Sequence, residues 1–252
     1  MSAVLQLEQV SLRAQGSGDP ILQDLSLTIN EGDRIAIVGP SGSGKTHLLR
    51  LLNRLSEANS GTVRYRGQAI ASMPVRQLRQ KVVFVLQESR LLGQTVQETL
   101  SYPLQLQDLS KDAIQQRMMT WLERLHFPME WMSAREGELS VGQRQWVAIA
   151  RGLMTEPDIL LLDEPTAALD VGRGESLIHL LQDTTLSKPT TILMVTHQLD
   201  LAELFCNRML YIKQGQIASD KSGKDTDWHF IHQDLLETER QEAEHWDDPD
   251  WS

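Results

Sequence analysis

The chain has 252 residues, 40% of them apolar, and a single cysteine; it is long enough for a sizeable buried core and cannot form an internal disulfide. Its net charge of −10 is concentrated at one end: residues 225–252 hold ten acidic side chains and one basic, and the other 224 hold 24 acidic and 23 basic. Neither part has the basic surface that nucleic-acid binding requires, no apolar run approaches the ~18 residues of a membrane helix, and the first residues show no secretory signal.

Residues 4–10 and 25–29 alternate apolar and polar side chains and are expected as strands, with the glycine-rich RAQGSGDP between them. The apolar run 34–38 leads into GPSGSGKT at 39–46 and then into the helical HLLRLLNRL. That octet fits the phosphate-loop pattern of Gly, four residues, then Gly-Lys-Ser/Thr. Gly39, Gly42 and Gly44 let the backbone turn its N–H groups towards phosphates, and the helix behind adds its positive end. Lys45 is expected at the β- and γ-phosphates and the Thr46 hydroxyl at Mg²⁺. Pro40, Ser41, Ser43 and His47 complete the candidate nucleotide-contacting set.

Further strands are expected at 82–86, 159–162, 192–195 and 209–212, the last pairing with 216–218 across a Gln-Gly turn. Strands separated by helical stretches imply an α/β fold with a mainly parallel sheet. Between about 93 and 138 the character changes. Thr95 is placed to cap a helix start, and Ser110 to cap a second helix with Ile114, Met118, Trp121, Leu122 and Leu125 on its core face. ILLLDE at 159–164 is a buried-type strand ending in two carboxylates, and two adjacent charges there need a cation or a water to act on. Asp163 is placed to hold Mg²⁺ through its waters. Glu164, pointing the other way, is the candidate general base. Cys206 is taken as a small core residue. In the acidic tail, 229–244 has the pattern of an amphipathic helix, and the bland reading of the whole tail is a solvated or fraying end.

With the phosphate loop and the acidic strand end on the same chain, ELSVGQRQWVAIARGL at 138–153 resembles the signature of ATP-binding-cassette (ABC) ATPases, usually LSGGQ followed by a helix. The likeness covers roughly residues 4–218 in the family's order. It implies a P-loop NTPase core of mainly parallel sheet, an antiparallel β subdomain and an α-helical signature subdomain at about 93–155. Residues 1–224 would form one nucleotide-binding domain, with 225–252 as the acidic tail. By the same resemblance Gln87 is the Q-loop glutamine that senses Mg²⁺ and the membrane partner, Asp170 ends a D-loop reaching across a dimer, and His197 is the switch histidine at the γ-phosphate. The family pairs two copies head to tail, so Ser140, Gly142 and Gln143 of one chain would meet the ATP bound at the other's phosphate loop. The partners implied are a second copy and a separate transmembrane permease, which would hold the protein peripherally at the cytoplasmic side of the inner membrane.

Two departures stand out. Val141 replaces the signature's first glycine, and weaker or slower closure is expected. Near residues 12–14 the sequence is LRA, without the family's base-stacking aromatic, and Arg13 is the candidate substitute. The segment 91–107 resembles a short bacterial branch associated with metal (iron) export, or is only a generic Q-loop and helix start. The alternatives to a transporter ATPase are a soluble cassette in DNA repair or translation, and a regulatory ATPase that scarcely turns over.

Overall fold

The alternation of each strand decides which side of the molecule its residues build. The computed structural model describes residues 2–14, 16–91, 93–183 and 189–246, with only the backbone given at 239 and 242–246. Two sheets run through it. A four-stranded antiparallel sheet has the order β2 (Pro20–Asn30), β1 (Ala3–Arg13), β4 (Ser60–Tyr65), β5 (Gln68–Ala69). A six-stranded sheet has the order β10 (Gln216–Ser222), β9 (Arg208–Lys213), β3 (Arg34–Val38), β8 (Thr191–Val195), β7 (Ile159–Asp163), β6 (Val82–Val85). All its pairings are parallel except β9 with β10. The central strands β7 and β8 are buried at every position, as parallel strands covered on both faces must be.

Ile35, Ile37, Ile159 and Leu161 point into one core, shared with the antiparallel sheet and with α1 (Lys45–Leu52). Ala36, Val38, Leu160 and Leu162 point into the other. That second core is closed by helices: α3 (Val96–Gln105), α4 (Lys111–Arg124), α5 (Val141–Met154), α6 (Val171–Gln182) and α7 (Leu199–Phe205). The short α2 (Val75–Lys81) leads into β6. The α/β class, the mainly parallel sheet and the two flanking subdomains are therefore present.

The local signals mostly hold. Thr95 and Glu98 form a reciprocal capping box at the start of α3, and the Ser110 hydroxyl accepts from the Ala113 N–H at α4. Met118, Trp121, Leu122 and Leu125 are buried as expected. The β9–β10 turn at Gln214–Gly215 has positive φ at both residues, as a two-residue hairpin requires. The β4–β5 hairpin turns the same way at Arg66–Gly67 and was not anticipated. Cys206 is half-buried against the helical core, and burial pushes its thiol up to about 11.

The tail departs from its bland reading. Its amphipathic segment lies within α8 (Trp228–Trp246), and Ile231 and Leu235 are buried in the same core as Phe205 and Tyr211. The final DDPDWS lies outside the described residues.

Candidate functional site

The phosphate loop is shaped by backbone that only glycine allows. Gly39, Gly42 and Gly44 all have positive φ, of 153°, 73° and 101°. A Cβ on Gly39 would lie 2.0 Å from the Ile212 carbonyl oxygen, and one on Gly44 would lie 2.7 Å from the Leu22 side chain. The loop is thus pressed between β9 and β2, and Gly44 passes the chain directly into α1. Lys45, only 6% exposed, donates to the carbonyls of Gly39 and Pro40 at 2.7 Å each. Its ammonium is held at the mouth of the loop it serves. The loop residues Ser41 to His47 border a cavity of about 320 Å³, together with Pro20, Ile21, Glu164 and His197. His47 Nδ1 is buried there without a partner, an orphan polar atom that a ligand can satisfy. Burial, with the nearby Arg50 charge, pushes the His47 imidazole down from its ordinary value.

The acidic residues arrive from the end of β7. Asp163 is 3% exposed and accepts from the Thr46 hydroxyl at 3.1 Å. Burial pushes its carboxyl upward, and the Thr46 bond pulls it partly back. A hydroxyl and a buried carboxylate side by side make a hard-oxygen donor pair suited to Mg²⁺. At Glu164 the backbone takes φ 48°, a conformation costly for a residue with a Cβ, and its N–H is fixed to the Val195 carbonyl at 3.0 Å. The Glu164 carboxylate faces His197 and Gln87. One oxygen lies 3.3 Å from His197 Nε2, and the other accepts from Gln87 Nε2 at 3.2 Å. Gln87, Glu164 and His197 follow β6, end β7 and follow β8, three neighbouring strands. Parallel strands deliver all their carboxyl ends to one edge, so the sheet itself assembles this group. Among the described residues, Gln87 donates to Glu164 and forms no hydrogen bond with Thr46 or Asp163.

The signature residues form a second, separate group. The Ser140 hydroxyl accepts from the Gln143 N–H at 3.2 Å, and the Gln143 side-chain Oε1 accepts from the Ser140 N–H at 2.7 Å, a capping box opening α5. A Cβ on Gly142 would lie 2.5 Å from the Ala168 carbonyl, so the signature packs on the segment that leads to Asp170. Asp170 caps α6 by accepting from the Arg173 N–H at 2.9 Å. Val141 is 60% exposed. None of Ser140, Gly142, Gln143 or Asp170 borders the phosphate cavity.

Beyond the phosphate cavity a second hollow, of about 540 Å³, is bordered by Leu12, Arg13, Ala14 and Arg50 and shares Ile21 and His47 with the first. Arg13 is held there by donation from Nη1 to the Gly18 carbonyl at 3.0 Å, and its backbone N–H donates to Asn59 Oδ1 at 2.7 Å. Two contributions escaped the sequence reading: Pro20 and Ile21 on one side of the cavity, and the β9–β10 turn behind the loop. The Gln-Gly pair announced that turn, but nothing local announced what it touches.

A family model described as ABC transporter matches residues 22–167, more than half of the chain. The methionine import ATP-binding protein MetN 1 of Pseudomonas putida is 35% identical over 236 residues, covering 91% of this chain and 70% of that protein. MetN of Francisella tularensis is 34% identical over 210 residues, 82% of this chain and 60% of the relative. The curated relatives are therefore longer than the segment they share with this chain. Among solved structures, the ATP-binding cassette MJ0796, as a post-hydrolysis dimer bound to ADP and Pi, has TM-score 0.79 and 28% identity, covering 88% of this chain and all of its own. CbiO1 of Clostridium perfringens, part of the ABC transporter complex CbiONQ, has TM-score 0.79 and 26% identity, covering 94% and 93%. Phosphate loop, acidic strand end and signature thus stand in one fold shared with these cassettes, and the chain belongs to the ATP-binding, ATPase subunits of ABC transporters.

Proposed function

We propose that this chain is the energy-coupling subunit of a split transporter, working as a head-to-tail homodimer that clamps two ATP molecules and drives a separate transmembrane permease. The observation that carries the reading is the division of the site. Lys45, Thr46, Glu164 and His197 border one cavity, with Asp163 and Gln87 hydrogen-bonded to Thr46 and Glu164 behind its lining, while Ser140, Gly142, Gln143 and Asp170 do not border it. A second copy would supply the missing wall. In that arrangement residues 39–47 hold the phosphates and Lys45 turns from the loop carbonyls to the β- and γ-oxygens. Thr46 and Asp163 would hold Mg²⁺, which supplies charge neutralisation at the phosphates. Glu164 takes the proton of the attacking water, and His197 and Gln87 orient its carboxylate.

No described helix is long and apolar enough to cross a membrane. A groove of about 390 Å³ between the core and the helical subdomain, bordered by Arg76, Arg79, Phe84, Leu86, Leu106 and Arg151, is the candidate seat for the permease, placing the chain peripherally on the membrane's cytoplasmic face. It includes Pro103 and Leu106 at the end of α3. The reported curated relatives import methionine, and this favours import over the metal export expected from segment 91–107. Within that segment Thr95 caps α3, and its remaining features fit a generic helix start after the Q-loop. Selection of the cargo falls to the permease.

The purified Glu164→Gln chain should run as a dimer in MgATP and a monomer in ADP; a monomer in both rejects the shared site. Co-expressed with a candidate permease, the wild-type chain should fractionate with membranes, and Leu86→Glu should release it while basal ATPase persists. A chain that stays soluble with that partner present favours the non-transport reading.

A further inference from the structure

We infer that Asp234, on the acidic C-terminal helix, is a positioning residue for the phosphate loop, acting through the end of β9. The first turns of α8 are seated in the core by Ile231 and Leu235, and Asp234 lies on that same face. Its carboxylate accepts from the Tyr211 hydroxyl and from Lys213 Nζ, the latter at 3.0 Å to each oxygen. Tyr211 and Lys213 alternate with Ile212 along β9, so they share one face while Ile212 packs into the opposite core. The residue held between these two anchors is the one whose carbonyl meets the loop. The Ile212 oxygen lies where a Cβ on Gly39 would come within 2.0 Å of it.

The turn that follows adds a second hold. The Gly215 N–H donates to the Ser43 carbonyl at 3.1 Å, while Gln23 ties the turn to β2 through the Gly215 carbonyl at 2.8 Å and the Gln214 carbonyl at 3.1 Å. Gly39 in turn presents one of the two carbonyls that hold Lys45. Asp234 never meets the nucleotide. It fixes Tyr211 and Lys213, which fix Ile212 and the Gln214–Gly215 turn, which set the height of Gly39 and Ser43. Backbone-to-backbone contact transmits a shift with little give, because packed main chain cannot yield as a flexible side chain can. This rests on residues 39–47 being the ATP site.

The full-length Asp234→Ala chain, assayed for ATPase against MgATP concentration, should show KM raised about threefold to tenfold with kcat within about twofold, since a shifted loop binds phosphate less well while Lys45 is retained and Glu164, Gln87 and His197 sit at the ends of other strands. Asp234→Glu should recover most of that loss, and Glu237→Ala, an exposed acid on the same helix, should leave KM unchanged. Should Asp234→Ala fail to fold, Tyr211→Phe and Lys213→Met each remove one partner and should raise KM in the same sense. A lower melting temperature with unchanged KM would mean that Asp234 only staples the helix, and would overturn the inference. A wild-type chain with no saturable response to MgATP would overturn it together with the site.

Discussion

On the phosphate side of the chain, the polar groups already hold one another before any ligand arrives: Thr46 on Asp163, Gln87 and His197 on Glu164, Lys45 on its own loop. On the signature side, the side chains of Ser140 and Gln143 close a reciprocal capping box at the start of α5. The N–H groups of Val141 and Gly142 between them belong to the first helical turn, which has no intrahelical acceptor to offer them. The first region is made by a buried parallel sheet, whose strands must end at a common edge. The second is a helix start, whose N–H groups would meet an anion only in the proposed head-to-tail dimer. The difference teaches that the first half is made by folding alone, while the second, on the proposed dimer, waits for assembly.

The sharpest way to break this comparison is to disable each half separately. Lys45→Ala removes the loop cation, and Gly142→Ala drives a methyl group towards the Ala168 carbonyl. Each should lower ATPase turnover by roughly a hundredfold or more, the usual scale for losing a phosphate-stabilising group. They should differ in binding: Lys45→Ala loses nucleotide affinity as a monomer, and Gly142→Ala keeps it. Mixing the two variants should restore activity to about a quarter of wild type, because half the dimers are mixed and each of these has one intact site. If the mixture stays inactive, the halves do not complement in trans.

The base region offers a smaller effect. Its hollow presents Arg13 where stacking on a ring is expected. Turnover of GTP and ATP should then agree within about threefold in kcat/KM, and Arg13→Tyr should lower the KM for ATP about fivefold to tenfold, near the lower end of the worth of base stacking on an aromatic ring. Strict preference for ATP in the wild-type chain would show that recognition of the base lies elsewhere.

What the sequence disclosed follows the same division. The strands at 34–38, 159–162 and 192–195 were legible because burial on both faces leaves continuous apolar runs, and the phosphate loop because its glycines are demanded by backbone conformation. Thr95, Ser110 and their helices were legible because capping is local. Residues 60–69 were missed: β4 buries only Val63 and Tyr65, β5 has two residues, and the hairpin turns on Arg66–Gly67 rather than a stronger turn pair. That Glu164 would bridge Gln87 and His197 could not be read from spacing, since the three lie far apart in the chain and meet only through the strand order. The tail misled because its charge outweighed the two apolar residues, Ile231 and Leu235, that seat it.

Val141 tests the assembled half more gently. It touches little within its own chain, being 60% exposed, so any cost it carries must fall on closure against a second copy. Val141→Gly should raise ATPase about twofold to fivefold, with nucleotide affinity of the monomer unchanged, an effect on the scale of one misplaced methyl-bearing side chain. Equal rates would mean that the partner's nucleotide approaches without meeting this side chain.

The smallest effect concerns what keeps the folded half in place. The Tyr211 hydroxyl, and after it Lys213, hold the Asp234 carboxyl below its ordinary value of 3.8. The folded chain therefore binds that proton less tightly than the unfolded one, so the stability the group confers is complete above the unfolded value and lost as pH falls through the folded one. The pair is partly exposed and screened, worth about 0.5–1 kcal/mol. Asp234→Asn should melt about 1–3 °C below wild type at pH 7. That gap should narrow steadily as the pH is taken below 3.8, since the wild-type carboxyl then becomes as neutral as the amide. Circular-dichroism melts of the two proteins across this range would measure it. A gap that stayed constant into strong acid would assign the loss to packing of the amide against Tyr211 rather than to the charge.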